Sequence, residues 1–235
     1  MNRVIALVLV ALAGFASSAN AQIRRQQAPQ GPPANWLSVG VGAFSANSVS
    51  DGESMSTWDF GNATSLQYRA SLERAMSNGI SVGLAGTYVK APIRYSNFGA
   101  GPGGTAPSCF TSCDAEVDVI SLGINFEAGG GMGFHQVYGA SAGMTRYANF
   151  IRKSDDADLE PTAAVNAISG TFSYGFGYRF SPRTTVVGVY DIGLVYHSRD
   201  GLTSDQRNTL VPRAFRVSLR QGFGTQARGG VRRRR

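Results

Sequence analysis

Hydrophobic and polar residues alternate one for one along much of this chain. The clearest case is ISGTFSYGFGYRF, residues 168–180. Ile168, Phe172, Tyr174, Phe176, Tyr178 and Phe180 share one parity, and Ser169, Thr171, Ser173, Gly175, Gly177 and Arg179 share the other. A period of two marks a β-strand whose two faces meet different surroundings. Here it persists for about 13 residues, whereas strands of soluble proteins run about 5–6. A soluble sandwich would cover the aromatic face with a second sheet. A membrane barrel turns that face to lipid and the small polar face inward. A tilted strand needs about 9–11 residues to cross the hydrocarbon.

Seven further runs follow the same rule. In 35–46, Leu37, Val39, Val41 and Ala43 oppose Ser38, Gly40 and Gly42. In 63–76, Leu66, Tyr68, Ala70 and Leu72 oppose Gln67, Arg69, Ser71 and Glu73. A helix competes over SLERAM, but the alternation holds to Glu73 and Asn78-Gly79 is a hairpin signal. The run 80–95 puts Ile80, Val82, Leu84 and Tyr88 outward, with Pro92 late in it, where a strand end outside the membrane tolerates proline. The run 115–129 puts Ile120, Leu122, Ile124 and Phe126 outward. The run 134–150 alternates least clearly, and its register is open. Val186, Tyr190, Ile192, Leu194 and Tyr196 face outward in 184–198. In 213–224, Phe215, Val217, Leu219 and Phe223 oppose Arg216, Ser218, Arg220 and Gly222.

Between these eight runs the connections alternate. Tight turns fall near 77–79, at 130–133 and at 181–183; polar loops span 47–61, 96–114, 151–165 and 199–211. An even strand number with short turns at one end and long loops at the other predicts an all-β fold: an eight-stranded antiparallel up-and-down transmembrane β-barrel over 35–224. Closure removes exposed sheet edges and gives every backbone polar group a partner within lipid.

The N-terminus changes the picture by implying export. Arg3 precedes an apolar stretch over 4–15, and Ala19-Asn20-Ala21 forms a small-x-small cleavage signal, so 1–21 reads as a signal peptide. Residues 22–34, rich in Pro and Gln, read as a flexible periplasmic lead-in. The net charge of +7 arises from 22 basic and 15 acidic residues. Arg24, Arg25 and the closing VRRRR lie outside the patterned region, so the excess need not mean nucleic acid. The tail 225–235 reads as a solvated basic end, with contact to anionic headgroups or cell-wall polymer as the sharper reading. Cys109 and Cys113 read as a disulfide in an oxidising compartment. Free thiols and a metal site are the alternatives, the latter lacking a nearby His.

The runs and connections together resemble the small eight-stranded OmpA/OmpX type of outer-membrane β-barrel domain in Gram-negative bacteria. The resemblance covers about 35–224 and is architectural. It implies an integral outer-membrane protein, a monomer with both mature termini periplasmic, partnered by outer-membrane lipids and the insertion machinery. That family usually carries a terminal aromatic insertion signal; Phe223 resembles it, although TQARGGVRRRR follows.

An eight-stranded barrel has an interior just wide enough for side chains to fill. The inferred lumen network is Arg69, Glu73, Glu127, Arg179, Asp191, Arg216 and Arg220. Charges of both signs there should pair into a plug, with a polar solute path as the alternative. Tyr68, Tyr88, Tyr138, Tyr174, Tyr178, Tyr190 and Tyr196 read as interface anchors. The loop carboxylates Asp51, Glu53, Asp155, Asp156, Asp158, Glu160, Asp200 and Asp205 read as solvated, without the spacing of a calcium loop. His197, Ser198 and Asp200 are the nearest approach to a nucleophilic triad, but adjacent strand residues face opposite sides, and His135 lies at the other end. The expectation is no enzyme, no cofactor, no metal and no nucleic-acid partner. The role expected is structural or surface interaction through the four loops; the alternative is a narrow porin-like channel for small solutes.

Overall fold

The computed structural model describes residues 31–61, 63–76, 79–97, 109, 111–197 and 208–225. Residues 1–30, which hold the expected signal peptide and most of the expected lead-in, and the tail from 226 lie outside the described residues, and the barrel unit begins at Pro32. Eight strands close into a ring: β1 (Asn35–Ser45), β4 (Ser65–Ala75), β5 (Ile80–Asn97), β6 (Cys113–Gly129), β7 (Gly133–Arg152), β8 (Val165–Ser181), β9 (Thr184–Tyr196) and β11 (Arg213–Phe223). Each neighbouring pair is antiparallel, and β1 closes the ring by pairing with β11, Val41 opposite Val217. The stretch SLERA belongs to strand β4, with Leu72 opposite Leu84 of β5.

The predicted parity is the observed one. Leu84, Leu122, Ile124 and Leu194 are about 60% exposed on the outer wall, while Val89, Val137 and Val187 are buried inside. The exposed set includes Tyr88, Tyr138, Tyr174, Tyr178, Tyr190 and Tyr196, together with Phe134, Phe176 and Phe180. Such a contiguous apolar wall is tolerated where lipid covers it. At the turn end, Gly131 (φ 118°) and Gly133 (φ 74°) take backbone conformations that L side chains rarely adopt, which reverses the chain in three residues between β6 and β7.

Strands β5 to β8 are 17–20 residues long. At about 3.3 Å per residue, they far exceed a membrane band roughly 25 Å tall. Beyond the band the ring is completed by short pieces. The span 47–61, expected as a polar loop, instead holds a hairpin of β2 (Ser48–Asp51) and β3 (Ser56–Asp59). β3 pairs with the far end of β5, Trp58 opposite Tyr95. Within 199–211, also expected as loop, β10 (Thr209–Leu210) pairs with β9. Asn47 joins the two pieces: its Nδ2 donates to the Thr209 carbonyl at 3.3 Å and its Oδ1 accepts from Val211 N at 2.5 Å. Pro92 lies inside β5 opposite Glu116, well before the strand end at Asn97.

β7 also explains its own weak pattern. Asn149 has φ 56°, and the register with β6 shifts between Glu116 and Asp118. This bulge resets the parity, so Tyr147 and Phe150, three positions apart, are both buried.

Candidate functional site: the barrel interior

Two layers of different chemistry fill the ring. Near the turn end the inward positions of β1, β4, β5, β6 and β11 bring charges together. Arg220 Nη2 donates to Glu73 Oε2 at 2.6 Å and to Ser81 Oγ at 3.0 Å, and Nη1 pairs with Glu127. Glu73 also accepts from Ser71 (2.8 Å), Ser81 (2.6 Å) and Asn125 (2.9 Å). Arg216 holds both oxygens of Asp191, at 3.0 and 3.3 Å, and donates to Ser218 at 3.0 Å. The Arg220 and Arg179 guanidinium groups both lie over the Trp36 ring, 5.0 and 5.3 Å from its centroid, in cation–π geometry. Arg179 Nε donates to Thr185 at 3.3 Å, and Arg69 Nη2 to Asn125 Oδ1 at 2.7 Å. All seven residues of the inferred lumen network therefore point inward. Arg216–Asp191 and Arg220–Glu73–Glu127 are joined as ion pairs; Arg69 and Arg179 are joined through neutral partners.

Beyond the membrane band the interior is largely apolar, which the small polar inward face and charged lumen read from the sequence did not anticipate. Trp58 is fully buried, with ring centroids 4.6 Å from Phe150, 5.5 Å from Tyr147 and 5.4 Å from His197. Val89, Ile93, Tyr95, Val117, Leu159 and Leu210 are among the other members of this core. Buried polar contacts run through it, among them Trp58 Nε1 donating to Ser56 Oγ at 2.8 Å and a couple between Asp51 and His197. Asp51, expected in a solvated loop, is fully buried and faces His197 Nε2 at 3.1 Å; its other oxygen accepts from Ser54 N at 3.2 Å and Ser54 Oγ at 2.5 Å. Burial makes the expected solvation impossible, and the couple ties the β2–β3 hairpin to the end of β9. His197 points inward as alternation requires; Ser198, Asp200 and Asp205 lie outside the described residues. His135 sits near the turn end, with Nδ1 3.0 Å from the Gly133 carbonyl oxygen.

Between the layers is a cavity of about 80 Å³ lined largely by small residues, among them Thr87, Ser121, Ser141, Ser169 and Thr171. Phe44, Val89 and Tyr147 bound it on the loop side, and Arg69 and Asp191 reach it from the other. Among the described residues no group of three or more His, Cys, Asp or Glu side chains is placed to hold a metal.

Outside the wall, just beyond the band, Glu116 bridges Lys90 (2.8 Å) and Lys153 (3.2 Å). The hydrogen bond from Lys90, with that from Lys153, holds the Glu116 carboxyl below its ordinary range. Asp155, hydrogen-bonded by Arg152, is pulled down to about 2. Cys109 and Cys113 are joined by a disulfide, and the Cys109 carbonyl accepts from Asn97 N at 3.2 Å, closing the root of the β5–β6 loop. Phe223 is the last residue of β11 and faces outward.

No protein-family model and no curated protein matches the sequence. Solved structures do match the fold. Neisserial surface protein A superposes with a TM-score of 0.54 at 14% identity, covering 83% of this chain and all of that one. OprG of Pseudomonas aeruginosa gives 0.43 at 9% identity, with 82% and 95% coverage. The outer-membrane protein AlkL gives 0.43 at 11% identity, with 88% and 98% coverage. The chain thus has the fold of a small eight-stranded outer-membrane β-barrel.

Proposed function

We propose that this protein is a sealed barrel of the outer membrane that acts through its loop end, as a rigid platform for surface interaction. The observation that carries this reading is the apolar tier around Trp58, which extends the ring beyond the membrane band and is buried among β3, β5, β6 and β7. A barrel built to conduct gains nothing from a packed apolar core across its axis. A barrel built to hold loops rigidly away from the bilayer gains a stiff support. In this reading the turn end and both mature termini are periplasmic, Phe223 serves the insertion machinery, and the loops 96–114, 151–165 and 199–211 face outward with the β2–β3 hairpin. Glycan, protein and lipid partners are all compatible with that surface.

The channel reading stands second. The residual space of about 80 Å³ accommodates a few waters, and the apolar tier around Trp58 packs against its loop side. Catalysis is disfavoured because Asp51, Ser54 and His197 are buried against each other, 0–4% exposed, where no substrate reaches.

Two measurements test the proposal. The refolded chain in a planar bilayer is expected to be silent; stable conductance steps that change with Arg216→Ala would establish the channel instead. Ser154→Cys in whole cells is expected to react with a membrane-impermeant maleimide, and Gly131→Cys to be protected. The reverse pattern would invert the orientation and remove the platform.

A further inference from the structure

The lower lumen contains one arginine more than it has carboxylates: Arg69, Arg179, Arg216 and Arg220 against Glu73, Glu127 and Asp191. Arg216 is matched by Asp191, and Arg220 by Glu73 and Glu127. Arg179 sits at the turn end, stacked on Trp36. Arg69 is left over. Its one hydrogen bond among the described residues is to the neutral Asn125, and no described carboxylate stands within ion-pair distance of it.

Arg69 also lines the cavity between the two layers. Thr87, Ser141, Ser169 and Thr171 share that lining, and among the described residues none of their hydroxyls bonds another side chain; Ser121 and Thr145 bond each other at 2.8 Å. Asp191 is the one carboxylate among the described lining residues, and both its oxygens already accept from Arg216. The space therefore offers several unused hydroxyl donors and a guanidinium without a direct ion pair, and its own carboxylate is already paired with Arg216. A buried charge without a direct ion-pair partner is costly, and charge-assisted hydrogen bonds are the strong way to satisfy it.

We propose that this cavity is a binding site for one small inorganic anion of halide size, held by the Arg69 guanidinium and the surrounding hydroxyls. The volume suits it. About 80 Å³ takes such an ion with a few waters, each needing roughly 10–15 Å³ of the same measure. A cation finds no free carboxylate there. The site does not depend on the surface role proposed above.

The test is to refold the full mature chain into detergent with bromide as the sole halide, crystallise it, and collect data at the bromine absorption edge. The expected result is one anomalous peak in the lumen within hydrogen-bond distance of the Arg69 guanidinium, absent in Arg69→Met. A lumen without a peak overturns the proposal, and so does a peak that persists unchanged in R69M. A second measurement compares heat-induced unfolding after refolding in chloride or in gluconate at equal ionic strength. The chloride-refolded protein is expected to unfold at the higher temperature, since a ligand of the folded state stabilises it; equal temperatures overturn the proposal. Should R69M fail to refold, the two measurements on the unaltered chain decide.

Discussion

Glu73 and Arg220 stand 147 positions apart in the chain, and their charged groups meet at 2.6 Å inside the barrel. The contact exists because β1 lies between β4 and β11, and closure of the ring turns the inward faces of those two strands toward one axis. Four donors converge on the Glu73 carboxylate, from Ser71, Ser81, Asn125 and Arg220. It is the hub of the lower plug.

Replacing that hub should cost more than any other single polar change in the lumen. Glu73→Ala leaves Arg220 with Glu127 alone and strips an acceptor from Ser71, Ser81 and Asn125. Breaking one side of a buried ion pair costs about 3–5 kcal/mol. Urea-dependent unfolding from lipid vesicles measures it; a loss under about 1 kcal/mol would mean that water takes over the missing role.

The outer wall makes a prediction of the opposite kind. Leu122, 63% exposed in the middle of the apolar wall, should tolerate Ala but not Arg. A lipid-facing arginine at mid-depth costs about 2–4 kcal/mol. Lys90→Ala, which removes an exposed ion pair with Glu116, should cost under about 1 kcal/mol. Equal effects of Leu122→Arg and Lys90→Ala on vesicle insertion would show that residue 122 does not meet lipid.

Two glycines on β5 should behave differently. A Cβ at Gly83, which faces inward, would lie 2.0 Å from the Leu72 carbonyl oxygen and 2.5 Å from Glu73 Cα; at Gly86 the nearest atom is 3.6 Å away. Gly83→Ala forces backbone movement beside the Glu73 hub, with an expected cost of about 1–3 kcal/mol or more. Gly86→Ala should stay within about 0.5 kcal/mol. Refolding yield and unfolding midpoint of the pair check this.

Trp58→Ala should loosen the outer tier and leave the lower barrel closed. The loss of a fully buried aromatic costs about 3–5 kcal/mol. Hydrogen exchange should accelerate at residues 93–97 and 113–119 and stay unchanged in the membrane band, since the lower barrel is held by its own ion pairs. Uniform acceleration would show that the two tiers form one cooperative unit.

Glu116 provides a pH signature. Its folded value lies below the ordinary 4.5, chiefly through the Lys90 hydrogen bond. A depressed carboxyl stabilises the fold above its unfolded value, and that contribution is lost as pH falls through the folded value. An NMR titration of Glu116 should therefore give a midpoint below 4.5, moving upward in Lys90→Met. An unmoved midpoint would remove Lys90 as the cause. The effect on total stability is small because all three partners are solvent-exposed in part.

The eight barrel strands and their inward and outward faces were legible in the sequence, because parity along a strand is local: each residue's side is set by its neighbours, and lipid and lumen demand different chemistry at every second position. Ile168 to Phe180 needs no distant partner to be read. The inward set from Arg69 to Arg220 follows from the same rule. Which members meet does not, because pairing depends on the register and closure of strands far apart in the chain. Only the tertiary structure joined Arg220 to Glu73 and Glu127, Arg216 to Asp191, and left Arg69 on neutral partners. It also decided the apolar tier. Trp58 lies in a strand of four residues, too short to show a period, and Phe150 follows a bulge that breaks the period. Asp51 looked like a loop carboxylate until the fold buried it against His197. Alternation reports the side of the sheet; only closure of the ring determines what waits on that side.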